Sequence, residues 1–142
     1  MLTRKNLEPS YDKTNEMGDK VLIVDDLPDN VFLLREVISL VGYKADSCKN
    51  GKEALEAFKN NAFKIIFMDL EMPVLNGFET MTEIRKNFDS PQCDVPIIAI
   101  SAHPKYFFEE KDKLTGFTDY ISKPYTLDKI KAILAKHNLL PQ

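Results

Sequence analysis

The sequence predicts an α/β fold: an open, doubly wound parallel sheet with helices on both faces. Three observations carry this. Short apolar runs alternate with segments of helical period from about Asp19 to about His137. Three of the runs, Val21-Leu22-Ile23-Val24, Ile65-Ile66-Phe67-Met68 and Ile97-Ile98-Ala99-Ile100, are apolar throughout, as strands buried on both faces are. Polar residues able to do chemistry (Asp25, Asp26, Asp69, Ser101 and Lys123) all fall at the ends of strands. The carboxyl ends of strands are where open α/β sheets place their sites.

The elements follow in order. A strand over residues 21–25 leads past Pro28 into a helix over 29–41, with Val31, Leu34, Ile38 and Val41 on one face. Residues 43–48 form a short strand. Asn50-Gly51 then introduces a helix over 52–60, with Ala54, Leu55 and Phe58 inward. The strand over 65–69 runs into a loop, Leu70-Glu71-Met72-Pro73-Val74-Leu75-Asn76-Gly77. Phe78, Met81, Ile84 and Phe88 share one face of a helix over 78–88. Residues 96–101 are the fourth strand, with proline at its first position, where a missing N–H is tolerated. A more polar helix is expected over 104–114, stopped by Gly116, and a fifth strand over 117–122. A helix over 127–137, carrying Leu127, Ile130, Ile133 and Leu134, closes the domain, with His137 meeting its dipole. Residues 1–18 are polar and aperiodic and read as a flexible arm, leaving a domain over 19–138 and a tail over 139–142. The Tyr106-Phe107-Phe108 run exceeds what one helix face buries and reads as an interface patch or a locally repacked core.

Composition narrows the function classes. Hydrophobic content of 44% and charged content of 29% are ordinary for a globular domain. A net charge of −3 offers no broad basic surface, so neither nucleic acid nor an anionic membrane is an expected partner. No stretch reaches the roughly 18 apolar residues of a span, and residues 1–20 lack the apolar centre of a signal peptide. Cys48 and Cys93 have neither metal-ligand nor disulfide spacing. They read as free thiols, and a cytoplasmic location is expected. Asp25, Asp26 and Asp69 brought to one crevice repel one another unless they share a hard cation, which points to Mg²⁺.

In this order on alternating strands and helices, Asp25-Asp26, Asp69, Ser101 and Lys123-Pro124 resemble the receiver domain of two-component response regulators. Val21-Leu22-Ile23-Val24-Asp25-Asp26 is similar to that family's first strand. Met68-Asp69-Leu70-Glu71-Met72-Pro73 with Gly77 is similar to its phosphorylation loop. Ile97-Ile98-Ala99-Ile100-Ser101-Ala102 and Tyr120-Ile121-Ser122-Lys123-Pro124 match its fourth and fifth strand ends. The resemblance covers about residues 20–137.

It implies a flavodoxin-like five-stranded sheet of order 2-1-3-4-5 with five helices, and a phosphoacceptor signalling domain rather than a turnover enzyme. It further implies that Asp69 attacks a phosphohistidine and becomes an acyl phosphate. Mg²⁺ is then held by Asp26, Asp69 and the backbone carbonyl of Glu71, with Asp25 bound through water. Lys123 and Ser101 contact phosphoryl oxygens, Pro124 follows a cis peptide, and Tyr120 is the switch aromatic that follows the Ser101 hydroxyl inward. The implied partners are a histidine kinase or a histidine phosphotransfer protein, and a phosphorylation-dependent homodimer is a further option that the sequence does not decide. Asn30 after Asp26, and the Glu71-Met72-Pro73 loop, resemble receivers attached to hybrid histidine kinases, so a stand-alone regulator and a piece of such a kinase both fit.

Singly, each residue has a plainer explanation. Asp25-Asp26 fits a helix N-cap, Asp69 a turn, Ser101 a strand-end hydroxyl, Lys123 a solvated cation, and His103 a surface residue at a helix start. Occurrence of the five site positions together is what favours a site. Competing functions are an Asp-nucleophile phosphatase of the haloacid-dehalogenase type, for which Glu71 is the acid two residues after the nucleophile, a phosphate-sink carrier, and a flavin-binding module. A flavin phosphate would be repelled by Asp25-Asp26.

Overall fold

The computed structural model describes residues 20–72, 74–103 and 115–140. The expected arm, the helix expected over 104–114 and the Tyr106-Phe107-Phe108 run lie outside the described residues. Five parallel strands, β1 (Lys20–Val24), β2 (Lys44–Cys48), β3 (Ile65–Asp69), β4 (Ile97–Ser101) and β5 (Asp119–Ser122), form one sheet of order β2-β1-β3-β4-β5. Four α-helices occur among the described residues: α1 (Pro28–Leu40), α2 (Gly51–Asn60), α3 (Gly77–Asn87) and α4 (Leu127–Lys136).

Alternation along the strands builds two cores, because successive strand side chains point to opposite faces. Val21, Ile23, Ile65, Phe67, Ile98 and Ile100 face Leu34, Val37 and Ile38 of α1 and Ile130, Ile133 and Leu134 of α4. Leu22, Val24, Ile66, Met68 and Ile97 face Ala54 and Phe58 of α2 and Met81 and Ile84 of α3. The central strands β1, β3 and β4 are apolar except at one end, where Lys20, Asp69 and Ser101 stand, because both faces are covered.

α1, α2 and α3 start one residue earlier than the sequence reading set them, and α4 starts at Leu127 as expected. Asn50 accepts from the Glu53 N–H, and Asn76 forms a capping box with Glu79, so Gly51 and Gly77 are first helical residues rather than the last residues ahead of their helices. A Cβ on Gly51 would lie 1.8 Å from Thr80 Oγ1 and 2.6 Å from the Leu75 carbonyl. That close approach lets Gly51 N–H bond the Leu75 carbonyl at 3.2 Å and ties α2 to the loop after β3. In the same loop Val74 holds φ 71°, a left-handed conformation costly for a β-branched residue.

Other boundaries also move. β5 starts at Asp119, because Gly116 (φ 109°) turns the chain and Phe117 packs edge-on against Phe78. Leu127, expected inward, is 40% exposed at the first turn of α4. Leu139, assigned to the tail, is buried in the core, its N–H on the Leu134 carbonyl at 2.7 Å. At the amino end of the sheet Arg85 donates to the carbonyls of Gly116 (2.9 Å), Cys93 (2.7 Å) and Val95 (2.6 Å) and to Thr118 Oγ1 (3.4 Å). No helix among the described residues is long and apolar enough to cross a membrane.

Candidate functional site

Parallel register brings the strand ends level. Val24 pairs with Met68, Asp69 with Ile100, and Ser101 with Ser122. The residues that end or follow these strands therefore converge: Asp25 and Asp26 after β1, Asp69 closing β3, Ser101 closing β4, and Lys123 after β5. Asp25, Asp69 and Ser101 are buried, and Asp26 is exposed. One carboxylate oxygen from each of Asp25, Asp26 and Asp69 lies within 4.8 Å of the others.

Both oxygens of Asp69 are engaged. Oδ1 accepts from the Glu71 N–H at 3.0 Å, and Oδ2 accepts from Lys123 Nζ at 3.1 Å. Burial nonetheless pushes its pKa up to about 6. The Asp25 charge adds to the rise, while the Glu71 N–H and the Lys123 ammonium oppose it. At neutral pH Asp69 is thus mostly an anion held at a cost, a carboxylate that gains from losing its charge.

Asp25 is fixed in the same manner, with Oδ1 on the Leu27 N–H (2.9 Å) and Oδ2 on Asn30 Nδ2 (3.1 Å). The N-cap explanation for Asp25-Asp26 does not hold. Leu27 occupies the N-cap of α1 without a side-chain cap, and Pro28 leads the helix. Tyr125, buried beneath, donates to the Asn30 carbonyl at 3.2 Å. Asn30 thereby links α1 and the chain after β5 to a carboxylate of the cluster. Lys123-Pro124 is cis, as the resemblance implied, and Ser90-Pro91 is a second cis bond. Lys129 Nζ, from α4, reaches the carbonyls of Ser122 (3.3 Å) and Pro124 (3.1 Å), holding the segment that carries Lys123.

Ser101 Oγ donates to Glu71 Oε2 at 2.7 Å and accepts from the His103 N–H at 2.9 Å. Under the receiver resemblance, Glu71 contributes its backbone carbonyl alone. Its carboxylate on Ser101 went unforeseen, because the loop after β3 and the end of β4 meet through tertiary structure. Tyr120 lies on β5 opposite Ala99, 43% exposed, on the strand that leads to Lys123 rather than within the carboxylate cluster.

Beside the cluster is a mostly apolar cavity of about 320 Å³ that includes Asp25, Asp26, Val31, Phe32, Arg35 and Cys48. Phe32, which lines it, is 67% exposed, and Leu27, next to Asp26 in the chain, is 50% exposed. The Cys48 thiol is pushed up to about 11 by burial and by Glu53 and Asp46, so it is not a nucleophile near neutral pH.

The response regulator receiver domain family matches residues 21–135. Hybrid signal transduction histidine kinase B of Dictyostelium discoideum is 33% identical over 133 residues, 87% of this chain and 7% of that protein. The chain spans 6% to 13% of the length of the hybrid and sensor histidine kinases it matches. The receiver domain of a sensor histidine kinase from Pseudomonas aeruginosa PAO1, solved with a magnesium ion coordinated in its active-site cleft, has a TM-score of 0.73 and 27% identity. That match covers 84% of this chain and 96% of the other. The response regulator TrrA of Thermotoga maritima, in complex with Mg²⁺ and BeF, gives a TM-score of 0.74 and 31% identity over 84% of this chain and 98% of its own. TrrA solved with the histidine kinase ThkA matches at 0.71 and 30%, over 84% and 97%. A β2-β1-β3-β4-β5 sheet with three clustered carboxylates, a lysine and a hydroxyl at its carboxyl edge, matched along most of its length, makes this chain a member of the receiver family of two-component signalling proteins.

Proposed function

We propose that Asp69 accepts the phosphoryl group from a phosphohistidine donor, and that Asp25, Asp26, Ser101 and Lys123 serve this transfer. The observation that carries the proposal is the environment of Asp69. It is a buried carboxylate with an ammonium on one oxygen, two further carboxylates within 4.8 Å, and a pKa raised to about 6.

A carboxylate oxygen of Asp69 forms a bond to phosphorus while the bond from phosphorus to the donor imidazole nitrogen breaks. The imidazole leaves with the electron pair and takes up a proton. Little covalent chemistry falls to the protein, so its contribution is position and charge. Lys123, whose ammonium lies on Asp69 Oδ2 at 3.1 Å, neutralises one phosphoryl oxygen. Ser101, which ends the neighbouring strand, donates to another once its hydroxyl is released from Glu71.

Three carboxylates offering oxygen at short mutual distance suit a hard divalent cation, and Mg²⁺ fits this donor set. Asp26, Asp69 and the Glu71 carbonyl would hold it, with Asp25 bound through water. When bound, it supplies positive charge to the transferring group.

Exposed Leu27 and Phe32 beside the cluster provide apolar area for the donor, a histidine kinase or a histidine phosphotransfer protein. The kinase lengths of several relatives favour a receiver that works within, or alongside, a hybrid kinase. Family membership displaces the flavin and dehalogenase-type readings. Glu71, which the phosphatase needs as an acid, is bonded to Ser101 instead. Acetyl phosphate with Mg²⁺ should add one phosphoryl mass to the wild-type chain and none to Asp69→Asn. A phosphorylated Asp69→Asn protein refutes the assignment.

A further inference from the structure

The Ser101 hydroxyl has one proton to give. In this structure the proton is committed: Oγ donates to Glu71 Oε2 at 2.7 Å, and the His103 N–H occupies a lone pair at 2.9 Å. Ser101 is fully buried at the end of β4, so the Glu71 carboxylate is not readily exchanged for water. The bond also spans the two segments that flank Asp69. Glu71 opens the loop after β3, where its N–H holds Asp69 Oδ1, and Ser101 ends the neighbouring strand.

We propose that the Glu71 carboxylate is a latch on Ser101. It withholds the hydroxyl proton from the group on Asp69, and phosphorylation must take that hydrogen bond from Glu71 before Ser101 can shift. The proposal rests on the reading of Asp69 as phosphoacceptor and adds to it a residue that sets how readily the phosphorylated arrangement forms.

Two acceptors compete for one donor. A hydrogen bond to a charged acceptor is among the stronger ones in a buried setting, so the phosphoryl group gains Ser101 only as the difference between two strong bonds. Displacing Glu71 also frees the start of the loop. Its far end stays tied by Leu75 to Gly51 and by the Asn76 capping box. The strained Val74 lies between, so the latch holds one end of a segment that already stores backbone strain.

Glu71 carries charge as well as an acceptor, and the test separates the two. Beryllofluoride with Mg²⁺ is the probe, titrated against wild type, Glu71→Ala, Ser101→Ala and the double variant, with binding read from amide NMR shifts. Glu71→Ala should bind about tenfold more tightly than wild type, the order expected for freeing a charge-assisted hydrogen bond. In the Ser101→Ala background the same change should alter affinity by less than about twofold, since there is no proton to release. Glu71→Gln, which keeps an acceptor of the same shape, should lie between wild type and Ala, and it serves if the Ala variant misfolds. An equal gain in both backgrounds overturns the latch and leaves simple charge repulsion. No gain, or a loss, with Ser101 present overturns it as well. If wild type binds no beryllofluoride and takes no phosphoryl mass from acetyl phosphate, the Asp69 reading fails first and the latch with it.

Discussion

Replacing Asp69 by Asn should stabilise the domain, and by an amount that depends on pH. Asp69 has its pKa raised from 3.8 to about 6, chiefly by burial. At 1.36 kcal/mol per unit, a rise of about 2 units means that keeping it ionised in the fold costs about 3 kcal/mol relative to its neutral form. Asn approximates that neutral form, since its carbonyl oxygen can still accept from the Glu71 N–H. The attraction of Lys123 is already contained in the net shift, and Lys123, at 18% exposure, can be partly hydrated once its partner is neutral.

The raised pKa means that the native state holds this proton more tightly than the unfolded chain does. Wild-type stability from this group is therefore full below about pH 4 and is lost as pH rises through about 6. The variant lacks the titration. Urea unfolding followed by circular dichroism, in EDTA, should show Asp69→Asn about 2–3 kcal/mol more stable at pH 8. That corresponds to a midpoint higher by on the order of 1 M. At pH 4 the two proteins should nearly coincide. Mg²⁺ at pH 8 should narrow the gap by binding wild type more strongly. A variant no more stable than wild type at pH 8, or a gap unchanged with pH, would show that the fold does not hold Asp69 ionised against a burial cost.

Other perturbations have equally definite outcomes. Mg²⁺ without phosphate should raise the wild-type melting temperature, and Asp26→Asn should blunt the rise; an identical titration in that variant removes Asp26 from the ligand set. Gly51→Ala forces a methyl onto Thr80 Oγ1 and the Leu75 carbonyl, and should cost about 2–3 kcal/mol in urea unfolding. Arg85→Met strips a donor from three backbone carbonyls and should cost on the order of 2–4 kcal/mol by the same measurement. Amide exchange with beryllofluoride should report slowed or quickened exchange in β5 as well as in the loop after Asp69. Changes confined to that loop would remove Tyr120 from the relay and favour a phosphate carrier.

The sheet was legible because burial on both faces writes itself into sequence as unbroken apolar runs, and β1, β3 and β4 carry such runs. The carboxylates were legible for a related reason, since a charge placed directly after a buried strand has few structural uses. What escaped depends on chain segments meeting in space. Glu71 on Ser101, Asn30 on Asp25 and Arg85 on Gly116 join residues that no local pattern relates. Gly51 and Gly77 read as the residues just ahead of their helices but begin them, because Asn50 and Asn76 cap them. The φ of Val74 had no signal, as a β-branched residue is the last type expected there.

Arg85 binds main-chain carbonyls at Cys93, Val95 and Gly116, just ahead of β4 and β5, at the end of the sheet away from the acids. The two strands are thus clamped at one end, while Ser101 and Lys123 ride on the other. A displacement started at Ser101 therefore meets a fixed far end, where Arg85 ties the approaches to both strands to one guanidinium. The grip takes only carbonyls, so the side chains at 93, 95 and 116 add nothing to it, and it is lost only with the arginine itself.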